Sequence, residues 1–415
     1  MTHSFLHNPL RLWALFLALC LAALLLAGGA ARAEGPVYDG LSGYEPRKSD
    51  GAWLLADNFS RAERLLAGTP GWIQSNVSGF GDPSNYVIGA LANYNNQLFA
   101  GTWNNEDGAQ LWISSNGYTW GQLLPGWSTA NNAINDLEPF GTHLFVGTYR
   151  GGGGEIWRND GPVWKRVALG GLGDSNNVGF NAFAVFNENL YVATTNLITG
   201  VEIWRSASGD MGSWAQVNVD GFGGANTGQD ITMDEFQGYL YVGLSRSGVA
   251  ELWRSDNGTN WLLVFVDGLG NPDNTIVSAM AEFNGHFYIG LRNLNTGGEV
   301  WRSQDGVQWS PVFTSGLGNP ANQRPYGLIV FEDTLYLVFS NFDTGAEVWR
   351  SRDGSSWQPI NEAGWGDPEN IFGDYYDKSG EVFKDTLFIG TINYADGGEI
   401  WRLLIQHYLP RVSRD

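Results

Sequence analysis

The sequence predicts an all-β chain, a seven-bladed β-propeller with four antiparallel strands per blade, on three observations. First, one stretch recurs with Trp112, Trp157, Trp204, Trp253, Trp301, Trp349 and Trp401 as its leading aromatic, at intervals of 45, 47, 49, 48, 48 and 52 residues. Such a period is the length of one propeller blade. Second, the clearest copy, Glu347 to Trp357, places Asp353-Gly354 between two short runs rich in Trp and β-branched residues. That is a hairpin signal, because glycine supplies the positive φ of a tight turn without steric cost. Third, the outermost strand of each unit is marked by Trp120, Trp164, Trp214, Trp261, Trp309 and Trp357, one fewer than the leading aromatics. The missing one stands at the other end of the chain, where Trp72 precedes Gly79-Phe80-Gly81-Asp82 by the spacing at which Trp357 precedes Gly364-Trp365-Gly366-Asp367. An N-terminal outer strand is therefore expected to complete the C-terminal blade and close the ring, which leaves no free sheet edge.

Within each unit the pieces come in a fixed order. An inner run ends in an aromatic such as Phe186 or Phe236, a turn follows, and then a strand such as Leu190-Tyr191-Val192-Ala193. The Glu-Ile-Trp-Arg strand and the second Trp strand complete four.

Outside the repeat, residues 1–33 read as a signal peptide: Arg11 precedes an apolar run from Leu12 to Ala27, and Ala31-Arg32-Ala33 offers small residues for cleavage. An uncleaved N-terminal anchor is the alternative, since the run is almost long enough to span a bilayer. Residues 34–70 read as a linker or rim segment, 71–405 as the propeller and 406–415 as a C-terminal tail. The lone Cys20 falls in the signal, so the mature chain holds neither a disulfide nor a thiolate site and must be stabilised by packing. An extracytoplasmic location, secreted or on the cell surface, is expected. The formal charge is −20, and losing Arg11 and Arg32, with no acid among residues 1–33, makes it −22. So acidic a surface repels phosphate, which argues against nucleic acid and against anionic membrane.

The turns Ser255-Asp256-Asn257-Gly258-Thr259-Asn260-Trp261, Ser303-Gln304-Asp305-Gly306-Val307-Gln308-Trp309 and Ser351 to Trp357 resemble those of the Asp-box (BNR-repeat) propellers, over residues 71 to 405. These copies have one residue fewer between Ser and Gly than the usual box. The resemblance implies a structural turn with a buried aromatic, in a group that includes sialidases, xyloglucanases and secreted bacterial proteins of unknown role. It implies no catalysis.

An internal repeat separates scaffold from site, because a single site must be made of residues that break it. Glu155, Glu202, Glu251, Glu299, Glu347 and Glu399 recur, as do Arg158, Arg205, Arg254, Arg302, Arg350 and Arg402. Both sets are expected to bind neighbouring blades, with the arginine stems covering aromatic surface. Most units place Asn after the second strand (Asn104, Asn196, Asn293, Asn341, Asn393), but Arg150 and Arg246 replace it in two and Arg292 stands one position earlier in a third. The inner strands add Asp136, Asp230, Arg324, Tyr326, Asp374 and Tyr375. Together with Trp103 these are the expected ligand-binding residues, at the face where propeller loops meet. Tyr149, Trp127 and Trp365 are further aromatics expected in the same loops, where they would stack on sugar rings.

No chemistry-bearing constellation is apparent: H-E-x-x-H, a phosphate loop and a strand-turn-helix G-x-S-x-G are absent, and His143 and His286 fall in hairpin turns of the opposite face. The loops lack the alternating acids of a compact calcium site, so neither metal nor cofactor is expected. The reading is a monomeric, non-catalytic binding or scaffold module for a carbohydrate or an extracellular protein. The alternative is a glycoside hydrolase or lyase, sialidase-like or xyloglucanase-like, working through Asp136, Asp230 or Asp374.

Overall fold

The computed structural model describes residues 71–124, 130–224, 230–372, 378 and 380–404. The predicted signal, linker and tail lie outside these residues. All regular structure among them is β-strand, punctuated by single 3-10 turns.

After β1 (Gly71–Gln74) the strands come in antiparallel groups. The first four groups are β2 (Val87–Tyr94), β3 (Gln97–Trp103), β4 (Leu111–Ser114), β5 (Gly121–Leu124); β6 (Ala133–Phe140), β7 (His143–Tyr149), β8 (Ile156–Asp160), β9 (Val163–Ala168); β10 (Gly179–Phe186), β11 (Asn189–Thr195), β12 (Ile203–Ser206), β13 (Ala215–Gln216); and β14 (Thr232–Phe236), β15 (Tyr239–Arg246), β16 (Val249–Ser255), β17 (Leu262–Phe265). Then come β18 (Asn274–Phe283), β19 (His286–Asn293), β20 (Glu299–Ser303), β21 (Ser310–Phe313); β22 (Asn322–Phe331), β23 (Thr334–Asn341), β24 (Glu347–Ser351), β25 (Gln358–Pro359); and β26 (Gly380–Val382), β27 (Leu387–Gly390), β28 (Ile400–Leu404). Each group pairs in chain order, and β1 supplies the fourth strand of the last, with Trp72 opposite Leu403. Successive units meet face to face, so the second strand of each is buried on both sides and reads as a nearly continuous apolar run rather than an alternating one.

Sequence features account for the joints. Most first-to-second-strand turns hold two residues at positive φ, among them Asn95 (50°) and Asn96 (57°), the conformation of a tight hairpin turn. The loops that enter the inner strands hold Phe80, Leu172, Phe222, Leu317 and Trp365 in the left-handed region, which a side-chain-bearing residue reaches only at a cost. Stacking on the repeated Trp offsets that cost: Phe80 lies 4.3 Å from Trp112, Phe222 4.8 Å from Trp253 and Trp365 5.0 Å from Trp401, all nearly parallel. Trp365, expected to face a ligand, is therefore a core residue, only 6% exposed.

Adjacent units approach through glycine. A Cβ on Gly101 would sit 2.3 Å from Ile134 of the next inner strand, and one on Gly390 2.6 Å from Ile88, so β27 meets the first unit as β3 meets the second. Val87 and Ile392 form an antiparallel bridge at the same seam.

The Asp-Gly copies are turns closed by their own side chains. Asp305 Oδ1 accepts the backbone N–H groups of Val307 and Gln308, each at 2.8 Å, and Asp353 Oδ1 does the same for Ser355 and Ser356. These bonds favour the charged carboxylate and hold both acids below the usual range. Repeated arginines reach the next unit's turn, as expected: Arg302 donates to Ser355 and Arg158 to Asp210, while Arg254 lies over Tyr239 of its own unit.

Candidate ligand face

The loops after each second strand and those entering each inner strand come together on one face, held by a polar network the repeat writes out. Asn196 Oδ1 accepts the N–H groups of Ile198 and Thr199, which closes its loop, and its Nδ2 donates to Asn177 Oδ1 at 2.9 Å. Asn177 Nδ2 in turn donates to Gly171 O and to Glu202 Oε2, which also accepts the indole N–H of Trp204. The same chain links Asn341, Asn322, Glu347 and Trp349, and again Asn393, Asn370, Glu399 and Trp401. The repeated glutamates thus bind within their own unit and not, as expected, across to a neighbour. Burial raises the Glu202 carboxyl, and the bonds from Asn177 and Trp204 to its Oε2 oppose that rise.

The expected site residues divide sharply against this network. Arg246 belongs to it: its Nη2 donates to Gly221 O at 2.8 Å and to Glu251 Oε1 at 3.0 Å, and its Nε to Glu251 Oε2 at 2.5 Å. Gly221 O is the counterpart of Gly171 O, which Asn177 caps elsewhere. The fourth unit carries Thr227 where that asparagine would stand, six residues after Gly221, and the guanidinium replaces two amides at once. Arg150 likewise binds the buried Glu155, at 2.5 Å, and Arg166 shares that carboxylate at 2.8 Å. Arg292 donates through Nε to Thr275, and occupies the cross-strand position held by Trp103 and Tyr149 in the first two units.

Arg324 is 5% exposed, bonds Asp230 at 2.9 Å and lies 4.3 Å over the Tyr326 ring. Tyr326 itself is 1% exposed and packs against Phe372, so it presents no ring to a ligand. Asp374, Tyr375 and Trp127 lie outside the described residues.

Asp136 is sealed. Its oxygens accept the N–H groups of Leu137 at 2.7 Å and Phe183 at 2.6 Å, and Lys378 stands 3.3 Å away. Lys378 also bonds Glu138 and the Phe183 carbonyl, which ties the last inner strand to the second and third units. Asp136, expected among arginines that would favour its charged form, is instead dominated by burial, which pushes both the Asp136 and Glu138 carboxyls up, against the pull of the single lysine.

Trp103 and Tyr149, expected on this face, belong to a row of four aromatic rings whose other members, Tyr86 and Tyr394, the sequence did not flag. Tyr394 stacks on Tyr86 at 5.2 Å, Tyr86 lies 5.9 Å from Trp103, and Trp103 6.3 Å from Tyr149, with successive planes inclined by 29°, 35° and 31°. Asn105 threads the row, accepting from the Trp103 indole at 2.9 Å and donating to the Tyr86 hydroxyl at 2.7 Å. Three units contribute, and Tyr394 is 59% exposed. Among the described residues no three His, Cys, Asp or Glu side chains converge as metal ligands, and no helix is long and apolar enough to cross a membrane.

Comparison with known proteins adds the fold. No protein-family model matches the sequence, and no curated protein matches it. Among solved structures, the polysaccharide lyase Uly1 superposes with a TM-score of 0.50 at 12% identity, covering 83% of this chain and 94% of its own. A polysaccharide lyase described as a PL25 ulvan lyase gives 0.51 at 9% identity, covering 80% and 95%. The WD40 repeats of RRP9 give 0.50 at 10%, covering 81% and 98%. The fold is propeller-like. At such identities the likeness reaches no further than that.

Proposed function

We propose that the protein is a secreted, closed seven-bladed propeller that binds a carbohydrate on its loop-bearing face without transforming it. The observation that carries this reading is the aromatic row, since sugar rings present C–H faces that pack on aromatic rings while their hydroxyls need polar partners such as Asn105 alongside. Closure is supported by the seam, where β1 pairs with β28 and Ile88 packs on Gly390 as Ile134 packs on Gly101. Secretion rests on the signal-like residues 1–33. Two of the structural neighbours are named as polysaccharide lyases, which accords with a carbohydrate ligand and equally with the enzyme reading.

That second reading has one observation in its favour: burial raises the Asp136 and Glu138 carboxyls, as a general acid requires. Against it, Asp136 is fully buried and both its oxygens accept backbone N–H groups, so no glycosidic oxygen reaches it. A glycan array run beside hydrolase and β-elimination assays on the same protein tests the choice. Binding without turnover is expected; turnover lost in Glu138→Gln with the fold intact would establish the enzyme instead.

A further inference from the structure

The charges around the aromatic row bear on which carbohydrates it accepts. Glu106 and Asp107 follow Asn105 in the same exposed loop, and Ser84, two residues before Tyr86, donates to Glu106. Asp396, exposed, follows Tyr394 by two residues. At the Tyr149 end, Arg150 and Arg166 share the one buried carboxylate of Glu155, which leaves a single net positive charge there against three exposed carboxylates at the other. A polyanion laid along the rings would meet like charge from the loops that carry Tyr394 and Trp103, and like-charge juxtaposition is an effective means of rejecting a ligand.

Resting on the carbohydrate reading, we propose that the row Tyr394, Tyr86, Trp103, Tyr149 binds an extended saccharide chain that carries no negative charge, and excludes uronate-bearing and sulfated chains. The ligand lies across three units. Affinity rises with chain length up to about four sugars, as each further ring contact adds buried area. The structural neighbour whose crystals hold a glucuronate and sulfated-rhamnose chain is therefore not a guide to this protein's ligand.

The test is an array of matched oligosaccharides, uncharged, uronate-bearing and sulfated, probed with the wild-type protein and with Tyr394→Ala and Trp103→Ala. Tyr394 is exposed, so its variant keeps the scaffold even if the tryptophan variant folds less well. The strongest binders that lose about tenfold or more in both variants are expected to be uncharged chains. The triple variant Glu106→Gln, Asp107→Asn, Asp396→Asn is expected to raise binding of dextran sulfate at low salt. A uronate or sulfated chain as the tightest Tyr394-dependent ligand would overturn the charge assignment and leave the carbohydrate reading standing. Carbohydrate binding that neither aromatic variant weakens would overturn the row as the site. No binding to any class would overturn the carbohydrate reading itself.

Discussion

The fourth unit and the third, fifth, sixth and seventh hold their ligand-face loops by different chemistry. In the third unit two neutral amide groups and one carboxylate are linked, with Asn196, Asn177 and Glu202 in series. In the fourth, Arg246 does the same work with one side chain and places a full positive charge against the buried carboxylate of Glu251. A residue that breaks a repeat is therefore not thereby a ligand residue. It first has to be asked whether the scaffold already uses it, as Arg246 is used by Glu251 and by the Gly221 carbonyl.

The largest test of how the scaffold is assembled is removal of its seam. Deleting residues 71–80 takes away β1 and the Trp72 bond to Ile360 O, and exposes β28 as an edge. Aggregation or loss of cooperative unfolding is expected; a monomeric deletion with unchanged melting would show that β1 is dispensable.

The contrast between the units is sharpened by Arg246→Ala and Asn341→Ala in parallel. The arginine variant leaves Glu251, only 1% exposed, without its cation and is expected to lose about 3–5 kcal/mol in denaturant unfolding. Loss of the neutral amide should cost about 1–3 kcal/mol. Equal losses would mean that charge adds nothing to the fourth unit's network.

Asp136 extends the comparison to a buried charge with a raised carboxyl. Its folded state binds a proton more tightly than its unfolded state, so its contribution to stability is greatest in acid and falls as pH rises above the ordinary value of 3.8. The stability of wild type relative to Asp136→Asn is expected to decline from acid toward neutral pH. A difference that grows with pH would show that Lys378 outweighs burial.

The smallest effect belongs to the exposed end of the row. Tyr394→Ala should change unfolding free energy by no more than about 0.5 kcal/mol, since the residue covers no core. A larger loss in the same unfolding measurement would make the stacked ring part of the scaffold.

These contrasts show what was legible in the sequence. The strand order followed from the spacing of tryptophans, because nearly every indole bonds a Glu two residues before it and packs against an apolar side chain of the incoming loop, a requirement that repeats in register. The row was not legible, because Tyr86 and Tyr394 stand at opposite ends of the chain and meet only where the last unit lies against the first. One signal was present: Tyr394 occupies the loop position of Leu197, Leu294 and Phe342, all exposed and apolar, where the turn itself asks for nothing of the kind. Tyr326 and Trp365 were misplaced for the opposite reason. The loop of Trp365 suggested exposure, whereas its left-handed backbone turns the side chain inward onto the repeated Trp, as at Leu172 and Leu317, and Tyr326 lies within β22 against Phe372.

The pairing of β1 with β28 also orders events in time. Residues 71–74 have no strand to pair with until residues 401–404 have been made, so their contacts are among the most distant in sequence that the chain forms. Loop-closure entropy must be met in full before this contact returns anything, which makes it a slow, late step of folding. Because the two strands lie side by side, joining residue 404 to residue 71 and cutting instead at the Asn95-Asn96 hairpin would turn that last step into a local one. In such a permutant the distant closure passes to β2 and β3, which the cut places at opposite ends of the chain, so the slow step should move to that pairing rather than disappear.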